Sequence, residues 1–333
     1  MKKILMLSTG GTIASVESTK GLTPKVTGLQ LLSHFPNLKD FCSVECRELL
    51  NIDSTHVGPD HWVMMARAVF GALPDYDGIV ITHGTNTMAY SAAALSVMLP
   101  CLNKPVIFTG SQIPMGMEKS DAERNLWDAF TASVAAPSGV YVVFNGNLIH
   151  GLFASKQRSM GFDAFVSVNY PLAGKFEGEK LILIPDPVRK NEGSPEIDTR
   201  LDPKIVLYKL IPGFNPMLLD MAISVGYHGV LLEAFGSGGV PCELLSTIRL
   251  LHKEGIIVAS TTQCLFDGCD FTTYDIGRNA LEAGVIPVRS FGTEAAVILL
   301  MAALGQRKSS EEIAKILGAS CSCINPYQPL FRL

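Results

Sequence analysis

At 333 residues the chain exceeds an average single domain, and its 47% apolar content supplies a sizeable core and excludes a disordered chain. The formal net charge is −4, with no long acidic or basic block, so nucleic-acid and anionic-membrane partners have no electrostatic support. No window reaches the ~18 apolar residues of a membrane span, and Thr9-Gly10-Gly11 cuts the apolar stretch behind Lys2 and Lys3 before it reaches the length of an export signal.

Apolar residues 4–8 then read as a buried strand running into that Thr-Gly-Gly loop. From Pro59, the positions Trp62, Met65, Ala66, Val69 and Phe70 follow the helical period. Further strands are predicted at 78–82, 104–109 and 139–144, with helices at 88–99 and 121–134. Strand–helix alternation with apolar strands implies a parallel sheet covered on both faces. Charge, proline and turn residues between Asp186 and Pro203 mark a break. Beyond it the pattern predicts strands at 205–210, 229–233 and 255–260 and helices at 217–224, 243–254, 294–304 and 310–317. The expected fold is α/β: a larger N-terminal parallel-sheet domain (1–187), a linker (188–204) and a smaller C-terminal α/β domain (205–333).

Cys42/Cys46, Cys264/Cys269 and Cys321/Cys323 are local pairs, but none has the CxxC spacing of a zinc knuckle, and no metal site is expected. Without an export signal the thiols are expected reduced and the protein cytoplasmic.

Ligands bind beyond the carboxyl ends of parallel strands. Two predicted strand ends are dense in hydroxyls and glycines: Ser8-Thr9-Gly10-Gly11-Thr12-Ile13 and Thr82-His83-Gly84-Thr85-Asn86-Thr87. Each sets a threonine beside backbone that a ligand can approach, and the second opens a helix. Taken singly, either segment reads equally as a helix cap or a turn. The sequence carries no GxGxxG or GxxxxGK[ST] phosphate loop, no GxSxG elbow and no HExxH pair.

Thr9-Gly10-Gly11-Thr12-Ile13-Ala14-Ser15 resembles the first signature of the L-asparaginase/glutaminase family, and His83-Gly84-Thr85-Asn86-Thr87-Met88 resembles the second. Asn51 to Thr55, Thr109 to Pro114, Gly161 to Phe165 and Thr261 to Cys264 resemble further family blocks, in order, and the likeness is greatest to the cytoplasmic type I bacterial enzymes. The resemblance implies hydrolysis of the side-chain amide of asparagine, sometimes glutamine, without metal or organic cofactor. Thr12 is then the nucleophile that forms an acyl-enzyme, and Thr85, Lys156 and residue 86 form a second catalytic group. Asp53, Ser54 and Thr55 bind the substrate's α-carboxylate and α-amino group, Ser111 belongs to the binding set, and N–H groups of the Gly11 and Thr85 loops stabilise the oxyanion. A threonine hydroxyl needs a neighbour that accepts its proton, and a desolvated lysine can serve.

Two positions depart from the family pattern. Asn86 stands where the family has aspartate, which removes a charge that orients the lysine and pairs with the substrate's α-ammonium; reduced activity is expected. Leu22 stands where many members carry a loop tyrosine, so it can seal the pocket but cannot relay a proton. A homodimer or homotetramer is implied, each site completed by a neighbour's C-terminal domain, with Glu233 the candidate contributor and an allosteric asparagine site a weaker implication. The competing readings are a non-catalytic asparagine/aspartate sensor and the glutamine-hydrolysing subunit of a tRNA-dependent amidotransferase, a chain with an additional domain ahead of the first signature.

Overall fold

The structure, a computed structural model, describes residues 1–19, 21–186 and 193–320. Lys20, residues 188–192 of the expected linker, and the last part of the expected C-terminal domain, with Cys321 and Cys323, lie outside the described residues. The chain forms two compact units, the first spanning Met1–Asp198 and the second beginning at Thr199.

In the first unit the strands are β1 (Lys3–Gly10), β2 (Ser15–Ser18), β3 (Gly21–Pro24), β4 (Ser43–Ile52), β5 (Gly78–Thr82), β6 (Pro105–Thr109), β7 (Gly139–Phe144), β8 (Asn147–His150), β9 (Ala154–Lys156), β10 (Phe165–Ser167), β11 (Gly174–Glu177) and β12 (Lys180–Leu183). The helices are α1 (Gly28–Leu32), α2 (Leu38–Phe41), α3 (Pro59–Ala72), α4 (Met88–Met98) and α5 (Ala122–Ala135). Eight strands form one sheet in the order β12-β11-β8-β7-β6-β5-β1-β4. β4, β1, β5, β6 and β7 run parallel, whereas β8, β11 and β12 join antiparallel, so the expected parallel sheet carries a mixed extension. The continuous apolar runs of β5, β6 and β7 are buried throughout because both faces are covered. Ile4, Met6, Val80, Ile107, Tyr141 and Val143 pack with Leu126, Ala129 and Phe130 of α5. Leu5, Leu7, Ile81, Phe108 and Val142, one residue out of step, are equally buried and face the other side. There α4 packs on β6 and β7.

Register sets the site. Ser8 pairs with Glu48 and Thr82, and Thr82 with Thr109, so the central parallel strands end level. The second unit repeats the principle on a smaller scale. Its strands β13 (Ile205–Lys209), β14 (Gly229–Ala234), β15 (Ile257–Thr262) and β16 (Ile286–Pro287) lie in that order, all parallel. Its helices are α6 (Met217–Val225), α7 (Leu245–Lys253), α8 (Asp275–Glu282), α9 (Thr293–Gly305) and α10 (Ser310–Leu317). Its core is built on Val230, Leu232, Val258, Leu219, Ile248 and Leu251. Among the described residues no helix is long and apolar enough to cross a membrane.

Candidate active site

The two threonine loops meet through glycine backbone. Gly10 and Gly11 have φ of 94° and 79°, the left-handed region open to glycine. A Cβ on Gly10 would lie 2.7 Å from the Ile52 backbone, and one on Gly11 only 2.3 Å from Gly84 Cα. A Cβ on Gly84 would in turn lie 2.6 Å from Ser54 Oγ. Three segments therefore touch where no side chain fits: the loop after β1, the loop after β5 and the turn after β4. This contact gathers Thr12, Thr85 and Asp53-Ser54-Thr55 around one point. Thr12 opens a single 3₁₀ turn, Thr12–Ala14, and is half-buried. Among the described residues no hydrogen bond engages its hydroxyl.

Lys156, at the end of β9, reaches the second threonine. Its Nζ donates to Thr85 Oγ1 at 2.7 Å and to Asn86 Oδ1 at 3.0 Å. Thr85 is buried, and its own hydroxyl donates to Gln112 Oε1 at 3.2 Å. Gln112 is held from both sides: its Nε2 donates to the Gly161 carbonyl at 3.0 Å, and its backbone N–H to the Asp121 carboxylate at 3.0 Å. Both acceptors of the lysine are neutral, and burial holds its pKa below the ordinary lysine value. A lysine so placed gives up a proton more readily than one on the surface.

The other anticipated residues lie around this pair. Asp53 Oδ1 accepts from Thr55 N at 2.8 Å, and the hydrogen bonds from Thr55 keep its carboxyl below the usual range. Ser54 is buried, and its carbonyl accepts from Thr87 Oγ1 at 2.7 Å. Asn86 Nδ2 approaches Thr55 Oγ1 at 3.5 Å, which links the Asp53–Thr55 turn to the lysine pair. Ser111, just past β6, is buried, and its Oγ has no partner among the described residues. Leu22, on the β2–β3 hairpin, lines a cavity of about 520 Å³ with Gln112, Ile113, Pro114 and Met117. Glu233 is the last residue but one of β14 in the second unit, where its Oε1 accepts from Thr293 Oγ1 at 2.6 Å and Lys209 Nζ lies 3.7 Å from Oε2.

Sequence reasoning gave Gln112 no role, although it stands beside Ser111 in one of the family-like blocks; a long amide side chain at a strand end was the available signal. His83 stood out only as part of a signature, and it lies wholly buried behind Thr85.

Fold and site together define a two-unit α/β protein with a threonine–lysine pair at the carboxyl ends of its larger sheet. A family model described as asparaginase, N-terminal matches residues 3–189, and one described as glutaminase/asparaginase C-terminal domain matches residues 204–317. The chain belongs to the asparaginase family. It is 41% identical to an L-asparaginase of Thermococcus kodakarensis over 95% of this chain and 96% of that one. The solved structure of the thermostable enzyme from that organism superposes with a TM-score of 0.90 at 40% identity, covering 97% of this chain and 99% of the other. L-asparaginase I of Vibrio cholerae superposes at 0.80 with 31% identity, covering 94% and 95% of the two chains. The chain is also 36% identical to a glutamyl-tRNA(Gln) amidotransferase subunit of Pyrococcus furiosus, over 94% of this chain and 74% of that one.

Proposed function

We propose that the chain converts L-asparagine to L-aspartate and ammonia by threonine nucleophilic catalysis, at a rate reduced by Asn86. The observation that carries this reading is Lys156 Nζ 2.7 Å from the Thr85 hydroxyl, in a chain similar over nearly its whole length to proteins named L-asparaginase. Asp53, Ser54 and Thr55 hold the α-groups of the substrate, with Gly11 and Ser111 beside its side-chain amide. Thr12 attacks the amide carbon, and its proton leaves with the amide nitrogen as ammonia. Water then hydrolyses the Thr12 ester. In the resting arrangement Lys156 donates to Thr85, so it must first lose a proton before it can accept one. Its lowered pKa favours that step. N–H groups of the Gly11 and Thr85 loops serve the oxyanion.

Asn86 keeps the hydrogen bond to Lys156 but brings no charge for the substrate's α-ammonium. An unpaired ammonium in a desolvated site costs about 2–5 kcal/mol. Asn86 is exposed in the free chain, so the cost applies once substrate has displaced the water around it. The deciding measurement is ammonia release from L-asparagine by this chain and by Asn86→Asp. A gain of about a hundredfold or more supports the assignment. Equal rates would mean that another group serves Lys156.

The likeness to the amidotransferase subunit favours glutamine hydrolysis as the second reading; ammonia released from L-glutamine but not L-asparagine would establish it. Tight calorimetric binding of L-aspartate with no ammonia from either amide would instead mark a sensor. Family resemblance further suggests a cytoplasmic homodimer or homotetramer with Glu233 reaching a neighbour's site, which light scattering and Glu233→Gln kinetics would test.

A further inference from the structure

A buried hydrogen-bond chain runs from two helices to the backbone of the second threonine loop. Trp62 Nε1 on α3 lies 3.1 Å from Ser91 Oγ on α4. Ser91 Oγ lies 3.0 Å from His83 Nε2, and His83 Nδ1 lies 2.7 Å from the Gly84 carbonyl. His83 and Ser91 are 0% exposed and Trp62 5%, so water does not compete for these groups.

Donor accounting assigns each proton. An indole N–H only donates, so Ser91 Oγ accepts from Trp62 and keeps its single hydrogen for His83 Nε2. The Gly84 carbonyl only accepts, so Nδ1 carries the hydrogen that goes to it, and in the neutral ring Nε2 is the bare nitrogen that accepts from Ser91. Burial, which pushes the His83 pKa down to about 4, keeps the ring neutral. Phe108 packs edge-on against that ring, with centroids 5.9 Å apart. The Gly84 carbonyl shares a rigid peptide plane with the Thr85 N–H. Among the described residues that N–H engages no acceptor, and it belongs to the residue that Lys156 contacts. Fixing the carbonyl on one side fixes the N–H on the other.

We propose that His83 is a positioning residue: Trp62 and Ser91 lock its proton on Nδ1, and it holds the Gly84–Thr85 peptide so that the Thr85 N–H stays aimed at the reacting amide. The last clause rests on the function proposed above; the tautomer and the peptide clamp do not.

The test uses the ¹⁵N-labelled full chain. Long-range ¹H–¹⁵N correlation of the seven histidines, with His83 assigned by its loss in His83→Asn, reports which ring nitrogen carries the proton. The expected result between about pH 5 and 7 is Nδ1–H with bare Nε2, without titration. Ser91→Ala should move the proton off Nδ1 in part and lower kcat for L-asparagine about tenfold, with KM changed less than about threefold. His83→Asn, which keeps an N–H near the Nδ1 position, should retain more activity than His83→Leu. Nε2–H in the unaltered chain overturns the proposal, as does a Ser91→Ala chain whose tautomer changes while kcat does not. If the chain hydrolyses no asparagine, the spectrum still decides the tautomer, and calorimetric affinity for L-aspartate replaces kcat; an unchanged affinity in Ser91→Ala then overturns it.

Discussion

The parallel strands of both sheets end in loops rich in hydroxyls and glycines, but those ends are wired differently. In the first unit, Lys156, Thr85, Asn86 and Gln112 contact one another through side chains, which places a lysine amine beside a threonine hydroxyl. In the second, the same residue types brace the strand ends. Gln263 Nε2 donates to the carbonyls of Leu210 at 2.7 Å and Glu233 at 3.0 Å, the Thr262 hydroxyl donates to the Gly236 carbonyl, and Thr293 binds Glu233. Threonine and glycine at a strand end thus do not locate chemistry by themselves. A proton acceptor within reach of the hydroxyl does.

The largest effect should come from breaking the first wiring. Lys156→Met removes the only cation on Thr85 among the described residues, and ammonia release should fall by about 10²–10⁴. Thr293→Val, which takes the hydroxyl from Glu233, should leave turnover within about threefold of the parent chain and cost about 1 kcal/mol of stability. Comparable losses from both substitutions would place the second strand end in the working site.

A sharper test uses pH. Asn86→Asp would set a carboxylate where Asn86 Oδ1 now lies 3.0 Å from Lys156 Nζ. An opposite charge favours the charged form, so the lysine pKa must rise. The acid limb of the pH–rate profile should therefore move up by about one unit or more, while the plateau rises. Unmoved limbs would mean that ionisation of Lys156 does not govern the rate.

The sequence disclosed most of what the first sheet end contains, and the reason lies in local pattern. β5, β6 and β7 are uninterrupted apolar runs, Thr12 and Thr85 lie in short blocks that resemble family signatures, and Lys156 stands just ahead of another, at Gly161–Phe165. β4 escaped notice because an edge strand is covered on fewer sides, and Ser43–Ile52 is nowhere fully buried. α8 escaped because only Gly277 and Ala280 of its residues are buried, too few to mark a stripe. The hairpins β2–β3 and β11–β12 bear no apolar alternation strong enough to predict pairing. Gln112 and the Trp62–Ser91–His83 chain were illegible for another reason. The Gln112–Gly161 and Trp62–Ser91 contacts join residues far apart in sequence, and Ser91–His83 joins a helix to the loop before it, none of which a local period encodes.

Glycines give a smaller but cleaner contrast. A Cβ on Gly84 meets Ser54 Oγ at 2.6 Å and Gly11 Cα at 3.1 Å, so Gly84→Ala must shift the loop that carries Thr85. About 1–3 kcal/mol of stability should be lost, with turnover down about a hundredfold if Thr85 moves by ~1 Å. On the second strand end, a Cβ at Gly239 meets nothing closer than 3.5 Å. Gly239→Ala should stay within about 0.5 kcal/mol of the parent. Denaturant unfolding and ammonia release on the two variants separate the outcomes.

The units also differ in what acid does to them. Only in the first is a histidine or carboxylate held far from its ordinary pKa by burial, among the described residues: His83 down to about 4 and Asp128 up to about 6. Asp128, on α5, has 0% exposure and, among the described residues, a single ion pair, to Arg124 Nε at 2.9 Å. The two signs oppose. His83 binds its proton less readily folded than unfolded, so stability is lost as pH falls from about 6.5 to 4, by ~3 kcal/mol. Asp128 binds its proton more readily folded than unfolded, so stability rises by a similar ~3 kcal/mol as pH falls from about 6 to 4. The parent chain should therefore change little over that window on account of this pair. Asp128→Asn removes one arm, and its stability relative to the parent should fall by about 2–3 kcal/mol between pH 7 and 4. Tryptophan fluorescence during urea unfolding reads this directly, because both tryptophans, Trp62 and Trp127, belong to the first unit. A constant difference between the two proteins across that range would mean that Asp128 ionises at its ordinary pKa despite its burial.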